Sequence, residues 1–597
     1  MEVVENCPKE SREPQLLETQ HAMLVALGIY AQQVGLIEKV EAVSIRQKSH
    51  EHTPHRKVLE FFVAILAGLA HLKDISQAAH PIDKDEAVAR AWGQNRWAHY
   101  SGVSRTLQAL RESEMQAICS ALDEVEQPEI EAEIRRALSE DGKLRWDLDL
   151  TGRPVSSTSS SYPDTAFGHM GDAVELGYQS ALVSQHSPTY GRLWLSNQLH
   201  SGDTVSATQL QTMIRSAEKR TGVCPKRRID LLQRRMEEAS RQQQERNARA
   251  ADSATKQATV QNKLAQCQQQ LAQWQAQVVE FEAEYAQRNR QPTSHCKLSR
   301  AQRKVATLTK RVPRLQVQLA QAKRRAERHQ QLAQAGADQL TQQQAHLQQL
   351  AQDNRDNPRP VRIQVRVDAG FASRDNLCWL VEMGYDVYAK ARQPTLTAAL
   401  KATVVDESPW QAVGKNADML SWSAWDDPEQ FAYPFDVALL RYSLPKRQKH
   451  AVLLHFDDDP DAPVPDLWFQ TYNGRQTIEA GIKEGKNVFQ MHHLKVRSPH
   501  ALKLQEHFAC FAANFVRFAT RWLAQQQTEP SPVDSTSVKQ IVTVAAHTSA
   551  IVIRDEANWL LKFSDHSCYA GHTLCVSVQP IQMPLPFRQI GIHFLRF

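Results

Sequence analysis

Three kinds of apolar periodicity divide the chain, and each predicts a different architecture. Over residues 1–140 apolar positions recur at helical spacing in 21–40, 57–80 and 83–92, with Gly93 placed to end the last segment. At residues 144–150 the period changes to two. Trp146, Leu148 and Leu150 share one face of a strand there, and Asp147 and Asp149 share the other. Residues 176–183 and 193–199 read as a strand pair joined by 187–191, and 207–220 as a helix. The Ser-rich run 156–162 reads as a loop.

Between about residue 225 and 352 Gln, Ala and Arg dominate and glycine nearly vanishes. Leu264, Cys267, Leu271, Trp274, Val278, Phe281 and Tyr285 alternate steps of three and four, which is a heptad seam. Residues 288–296, with Pro292, break it, and Val305, Leu308, Val312, Leu315 and Leu319 form a second seam. Two such arms predict an antiparallel coiled-coil hairpin projecting on the order of 80 Å. Pro313 is expected to kink the returning arm.

Period two then returns. Ile363, Val365 and Val367 alternate toward a core, Asp368 stands at the carboxyl end of that strand, and Gly370 supplies a turn. Ser373 is placed to cap a helix that runs to Met383 and ends at Gly384, with the next strand over 385–390. Residues 395–470 hold Trp410, Trp422 and Trp425 ahead of a β-hairpin, 437–444 with 451–456. Residues 500–525 read as a strongly apolar helix, 526–534 as a linker, and the remainder as short strands with a Pro-rich tail.

Composition narrows the function classes modestly. With 42% hydrophobic and 23% charged residues, the chain reads as an ordinary globular protein of several domains. The most apolar stretch, 58–72, is too short to span a bilayer, so no membrane partner is expected. Residues 1–6 lack a basic region followed by an apolar run, so no signal peptide is expected and the cytoplasm is the anticipated location. Nine cysteines without a C-x-x-C pair argue against a structural zinc and a disulfide framework. Net charge is only +5, but residues 225–350 hold 23 Lys and Arg against 10 Asp and Glu, a net of +13. That rod could lie along DNA, pair with a second copy, or be simply a solvated exterior.

The candidate chemistry centres on residues 472–486. On one continuous helix Tyr472, Arg475, Glu479 and Lys486 fall within a sector roughly 60° wide, while Glu484 points to the opposite side. A carboxylate flanked by cations suits a site that holds a divalent metal while gripping DNA phosphates. Farther upstream, the Ser-Gly break at 101–102 followed by a polar-basic segment could be the second helix of a helix-turn-helix, with Ser104 and Arg105 contacting DNA; equally, Ser104 could cap a core helix. His50, His52 and His55 lie close together and read as a polar loop rather than a metal set.

The spacing Y-x-x-R-x-x-x-E-x-x-x-x-x-x-K over Tyr472, Arg475, Glu479 and Lys486 resembles the signature of DDE transposases of bacterial insertion sequences, of the group called insertion sequence family four. The resemblance implies an α/β ribonuclease-H-like core, a mixed sheet flanked by helices, with Glu479 as the third catalytic acid. Asp149, followed by Thr151, resembles the first acid, with Asp147 as the fallback, and Asp368 in D-x-G-F resembles the second. The family implies two Mg²⁺ ions on Asp149, Asp368 and Glu479, with Mn²⁺ able to substitute. Tyr472, Arg475 and Lys486 would hold DNA near the cleaved end.

The implied partners are double-stranded DNA, both terminal inverted repeats and target, bound by a homodimer near the bacterial nucleoid. The chain then divides as a helical region 1–140 with a candidate DNA-end contact, core segments 141–222 and 358–394, and a coiled-coil insertion 223–357. A β-rich insertion 395–470, the catalytic helix and core end 471–527, and a C-terminal segment 528–597 complete it. The coiled coil departs from the family's pattern. A ribonuclease-H-like nuclease without strand transfer, or a catalytically idle DNA-binding derivative, are the alternatives.

Overall fold

The computed structural model describes residues 15–47, 51–156, 162–427, 430–445, 447–457, 465–493, 496–527, 537–555, 558–567, 569–570 and 573–577. The expectations for His50, most of the Ser-rich run, the linker beyond 527 and the tail beyond 577 concern positions outside the described residues. The chain forms two compact units, Met1–Pro225 with Arg359–Phe597, and Lys226–Pro358.

The first unit is a mixed α/β fold. In chain order its strands are β1 (Gln15–Thr19), β2 (Lys143–Pro154), β3 (Ala166–His169), β4 (Val174–Ser187), β5 (Gly191–Ser201), β6 (Arg362–Val367) and β7 (Asp386–Lys390). They continue as β8 (Gln411–Gly414), β9 (Ala417–Trp425), β10 (Phe435–Leu444), β11 (Arg447–Phe456), β12 (Ala550–Asp555), β13 (Asn558–Phe563) and β14 (Thr573–Ser577). Strands β2 to β11 make one mixed sheet in the order β3-β4-β2-β6-β7-β11-β10-β9-β8, with β5 also paired to β4. The β2–β4–β5 meander is antiparallel, whereas β6 runs parallel to β2 and β7 parallel to β6. The β-rich insertion is therefore an extension of the core sheet, because β11 pairs antiparallel with β7.

Pairing register sorts the two faces. Trp146 and Leu148, fully buried, share a face with Val365 and Val183. Helix Ser206–Thr221 covers that side with Leu210, Met213 and Ile214, and its Ser216 bonds Ser196 of β5. The opposite face, carrying Asp147 and Asp149, meets helices Gln476–Asn487 and Pro499–Gln526. At the β4–β5 bulge, where Leu195 is the extra residue, the buried Asn514 amide accepts from the Trp194 N–H and donates to its carbonyl, both at 2.9 Å. A buried polar side chain is thereby satisfied as donor and as acceptor.

The N-terminal region is mostly helical, but its boundaries differ from those the periodicity predicts. The first segment splits at Val34–Gly35 into Ala22–Gln33 and Leu36–Glu41, and the second is the shorter helix Pro54–Leu66. The Ser101–Gly102 pair does not break a helix: Tyr100–Ala109 runs through it, capped by the His99 side chain, and Ser104 lies in mid-helix. These helices pack on Pro499–Gln526, where Phe62 sits 5.2–5.9 Å from the rings of Trp92, Phe508, Phe511 and Phe515. The region is not all helix. Its β1 strand pairs with β12 in a separate antiparallel sheet β1-β12-β13-β14, a long-range pairing that local periodicity cannot show.

The second unit consists of two helices, Ile229–Gln287 and Lys297–Asp356, of 59 and 60 residues. Leu264, Cys267, Leu308 and Leu315 form its buried seam, with Leu271, Trp274, Val312 and Leu319 against them, so both heptad seams meet. Pro313 lies inside the returning helix. Elsewhere the seam is polar: the Gln243 amide donates to the Ala333 carbonyl at 2.7 Å, and Ser253 meets His329 at 2.6 Å.

The Val361 N–H donates to the Cys224 carbonyl at 3.2 Å, so the chain ends flanking the coiled coil already meet within the first unit. Replacing residues 226–358 by a short Gly-Ser linker should leave that unit cooperatively folded, with a Tm within a few degrees of the parent by calorimetry. Loss of the cooperative transition would show that the coiled coil is needed to bring β6 against β2.

Candidate active site

Parallel pairing of β2 with β6 puts Asp147 opposite Arg366, and the same register brings Asp149 level with Asp368. Asp147 is fully buried and gripped bidentately by Arg366, at 2.6 and 2.8 Å. That engagement removes Asp147 as the fallback first acid, because both its oxygens are committed to a structural ion pair. Asp149, one period further along the same face, stands nearer the open end. Asp368 follows β6 directly and accepts the Gly370 N–H at 2.9 Å, so its carboxylate is held by its own turn.

The signature segment is not one continuous helix. Helix Pro465–Asn473 ends, and Gln476–Asn487 begins after a tight junction at Gly474–Arg475. Bonds of three-residue span, Arg475 N–H to Tyr472 and Ile478 N–H to Arg475, carry the chain across. The cause is beneath it: Arg366 donates to the Thr471 carbonyl at 2.8 Å, and a Cβ on Gly474 would lie 2.4 Å from the same guanidinium. The Cβ position of Gly481 likewise falls 2.3 Å from the Arg192 guanidinium, which donates to the Thr477 carbonyl. Two buried arginines from the sheet thus set how closely the signature helices approach.

The junction still leaves the signature residues on one side. Arg475, buried, donates to Asp149 at 3.1 Å and to the Leu148 carbonyl at 3.0 Å. Lys486 donates to the Thr151 hydroxyl at 2.8 Å and the Gly152 carbonyl at 3.0 Å. Glu479 sits exposed in the first turn of its helix. Tyr472 packs against the core of the β-rich insertion, which includes Trp468, Phe469 and Leu440. Glu484 faces away and pairs with Arg517 at 2.7 Å.

Electrostatics tie the group together. Burial pushes the Asp149 carboxyl up to about 6; Arg475 opposes this, while the charges of Asp368 and then Glu479 add to it. Burial pushes the Tyr472 phenol up to about 12, again with Arg475 opposing and Asp368 and Glu479 adding. Burial works against the Arg475 charge, yet Asp149 and then Asp368 hold its pKa above the ordinary range. Lys486 is lowered, first by burial and then by Arg153.

Three carboxylates of hard oxygen character fit divalent magnesium in kind. Asp149 is half-buried, the charges of Asp368 and Glu479 disfavour its ionisation, and Arg475 lies against it at 3.1 Å. Among the described residues no three His, Cys, Asp or Glu side chains are gathered into a ready-made metal cage.

Other candidates lie elsewhere. Arg105 is exposed on its helix. His55 is bonded to the Val43 carbonyl at 2.6 Å. Trp410 lies under the Arg441 guanidinium at 4.1 Å, and Trp422 and Trp425 meet edge-on at 6.2 Å, each partly exposed. Arg366 and Arg192 were not singled out from the sequence. For Arg366 a signal existed, since period two puts it on the Asp368 face of β6.

No protein-family model matches the chain, and no curated protein matches it.

Losing either partner of the Asp147–Arg366 pair strands a buried charge. Asp147→Asn and Arg366→Met should each destabilise by about 3–5 kcal/mol in urea unfolding, and the double variant should be more stable than the worse single. Asp149 predicts a pH effect of definite sign. Its folded pKa exceeds the unfolded value, so its ionisation costs stability above pH ~6 and nothing below pH ~4. Compared with Asp149→Asn in metal-free buffer, wild type should lose on the order of 2 kcal/mol between pH 4 and 6.5. A pH-independent difference would show that Asp149 is not raised.

Proposed function

We propose that this protein is a DDE-type DNA transposase, which binds the ends of a mobile element and carries out metal-dependent strand cleavage and strand transfer. The observation that carries the reading is the placement of Asp149 level with Asp368 on parallel neighbouring strands, with the helix bearing Glu479 fastened over them by Arg475 and Lys486. The strand order supports a ribonuclease-H-like core: an antiparallel meander β2–β4–β5, then β6 and β7 parallel beside β2. Asp368 stands at the carboxyl end of β6, with Asp149 level with it inside β2, and an acid at such a strand end beneath a helix is well placed for chemistry.

In this reading Asp149, Asp368 and Glu479 would hold two Mg²⁺ ions, or Mn²⁺ in their place. Bound there, the metals supply charge for activating an attacking oxygen and stabilising a leaving one at phosphorus. The chain's own groups do the rest. Arg475 holds the helix against Asp149 and brings a fixed positive charge beside the acids, where a phosphate would be drawn. Lys486 sits two residues along β2 from Asp149, within reach of the same DNA strand. Tyr472, kept protonated by its surroundings, donates a hydrogen bond without adding negative charge. Water as nucleophile nicks the element end, and the freed 3′-hydroxyl then attacks a second phosphodiester, in keeping with cut-and-paste transposition by a dimer bridging two ends.

The test uses purified protein, Mg²⁺ and labelled DNA carrying the sequences that flank the gene, with nicks, hairpins and joined products resolved. Strand joining should fall at least a thousandfold in Glu479→Gln and stay within a few-fold of wild type in Glu484→Gln. Nicking without joining would favour a nuclease, and activity surviving Glu479→Gln would overturn the assignment of the third acid.

A further inference from the structure

The charge of the coiled-coil unit is concentrated. Residues 285–326 contain no Asp or Glu, and Lys297 to Arg328 carry eleven Lys and Arg against one acid, Glu327. All eleven are exposed. Among the described residues of this stretch only Lys323 forms an ion pair, with Glu327 at 3.9 Å. The other half of the rod behaves differently: Arg234, Arg249 and Lys256 each pair with an acid one turn away.

The arrangement is directional as well as dense. At ~100° per residue, eight of the eleven fall in a sector roughly 120° wide, including Arg300, Arg303, Lys304, Arg311, Arg314 and Arg325. Its centre lies about 120° around the helix from the middle of the apolar seam that runs from Val305 through Leu308, Val312 and Leu315 to Leu319, so the cations form a stripe down one flank. From Arg300 to Arg328 the stripe is about 42 Å long at a 1.5 Å rise, the length of about 12 base pairs. A solvated coiled-coil exterior intersperses both signs and pairs them at i,i+4, as the other half of this rod does. A stretch whose own helix supplies one acid for eleven cations leaves much of their mutual repulsion uncompensated until a polyanion lies on it.

We propose that this flank of helix Lys297–Asp356 is a binding surface for the phosphate backbone of duplex DNA, without sequence preference. The choice of duplex DNA among polyanions rests on the function proposed above; the stripe itself does not. Stiff over this length, a duplex can lie along the helical flank and meet cations at successive turns.

The experiment uses the full-length protein in EDTA, with a fluorescent 25-base-pair duplex of arbitrary sequence titrated at several salt concentrations. One variant carries Arg303→Gln, Arg311→Gln, Arg314→Gln and Arg325→Gln. A control loses the same charge from the paired half, through Arg234→Gln, Arg241→Gln, Arg249→Gln and Lys256→Gln. Glutamine keeps the helix and leaves the seam untouched, which circular dichroism checks. The stripe variant should bind at least tenfold more weakly at ~100 mM salt, and its slope of log K against log salt should shrink by roughly 3–4. The control should stay within about threefold of wild type. Equal losses in both variants, or none in the stripe variant, would overturn the proposal. So would binding to phosphatidylserine vesicles that only the stripe variant loses while duplex binding persists. Because binding is scored without metal, a failure of the acid site in the Glu479 experiment leaves this result standing, and the reverse also holds.

Discussion

The buried pair between Asp147 and Arg366 is the interaction on which the rest of the site depends. It joins residues 219 positions apart, on either side of the coiled-coil unit, and holds β2 in parallel register with β6. That register decides that Asp149 and Asp368 stand level. The same guanidinium reaches the Thr471 carbonyl and lies against Gly474, so one cation sets both the floor of the site and the seat of the helix above it. A buried ion pair contributes little net stability against an apolar substitute, but it is costly to half-remove. Its value here is geometric.

Above that floor the electrostatics are in tension. Asp149 is half-buried and feels the charges of Asp368 and Glu479, and Arg475 is the cation that offsets them. The sheet and the helix hold these acids in place, and the buried Arg475 guanidinium offsets the charge of Asp149. Arg192 and Arg517 steady the other side of the same helix, through Thr477 and Glu484. Glu479 is left as the carboxylate that faces outward, and no protein cation pairs with it among the described ion pairs.

The coiled-coil unit follows a different logic. Its seam is apolar in one half, through Leu264, Cys267, Leu308 and Leu315, and partly polar in the other, through Gln243 and Ser253. The half with the apolar seam is also the half with the unpaired cations. Firm packing there gives an array of like charges a rigid support, since a frayed helix would let the charges spread apart.

Local pattern determined a great deal by itself. The change of period at Leu144, the two heptad seams, the strand ending at Asp368 and the cap at Ser373 were all legible, because each is set by neighbours within a few residues. The separation of Glu479 from Glu484 was legible for the same reason. Tertiary structure decided what depends on partners far along the chain. Asp147 and Asp149 look alike on one strand face, and only Arg366, brought in by β6, locks the first in a buried ion pair while the second meets Arg475. The break at Gly474–Arg475 could not be read from a helical wheel, because a guanidinium from the sheet imposes it. The strand Gln15–Thr19 could not be read either, because its partner lies more than 500 residues away. Periodicity reports the face a residue presents; the fold decides what meets that face.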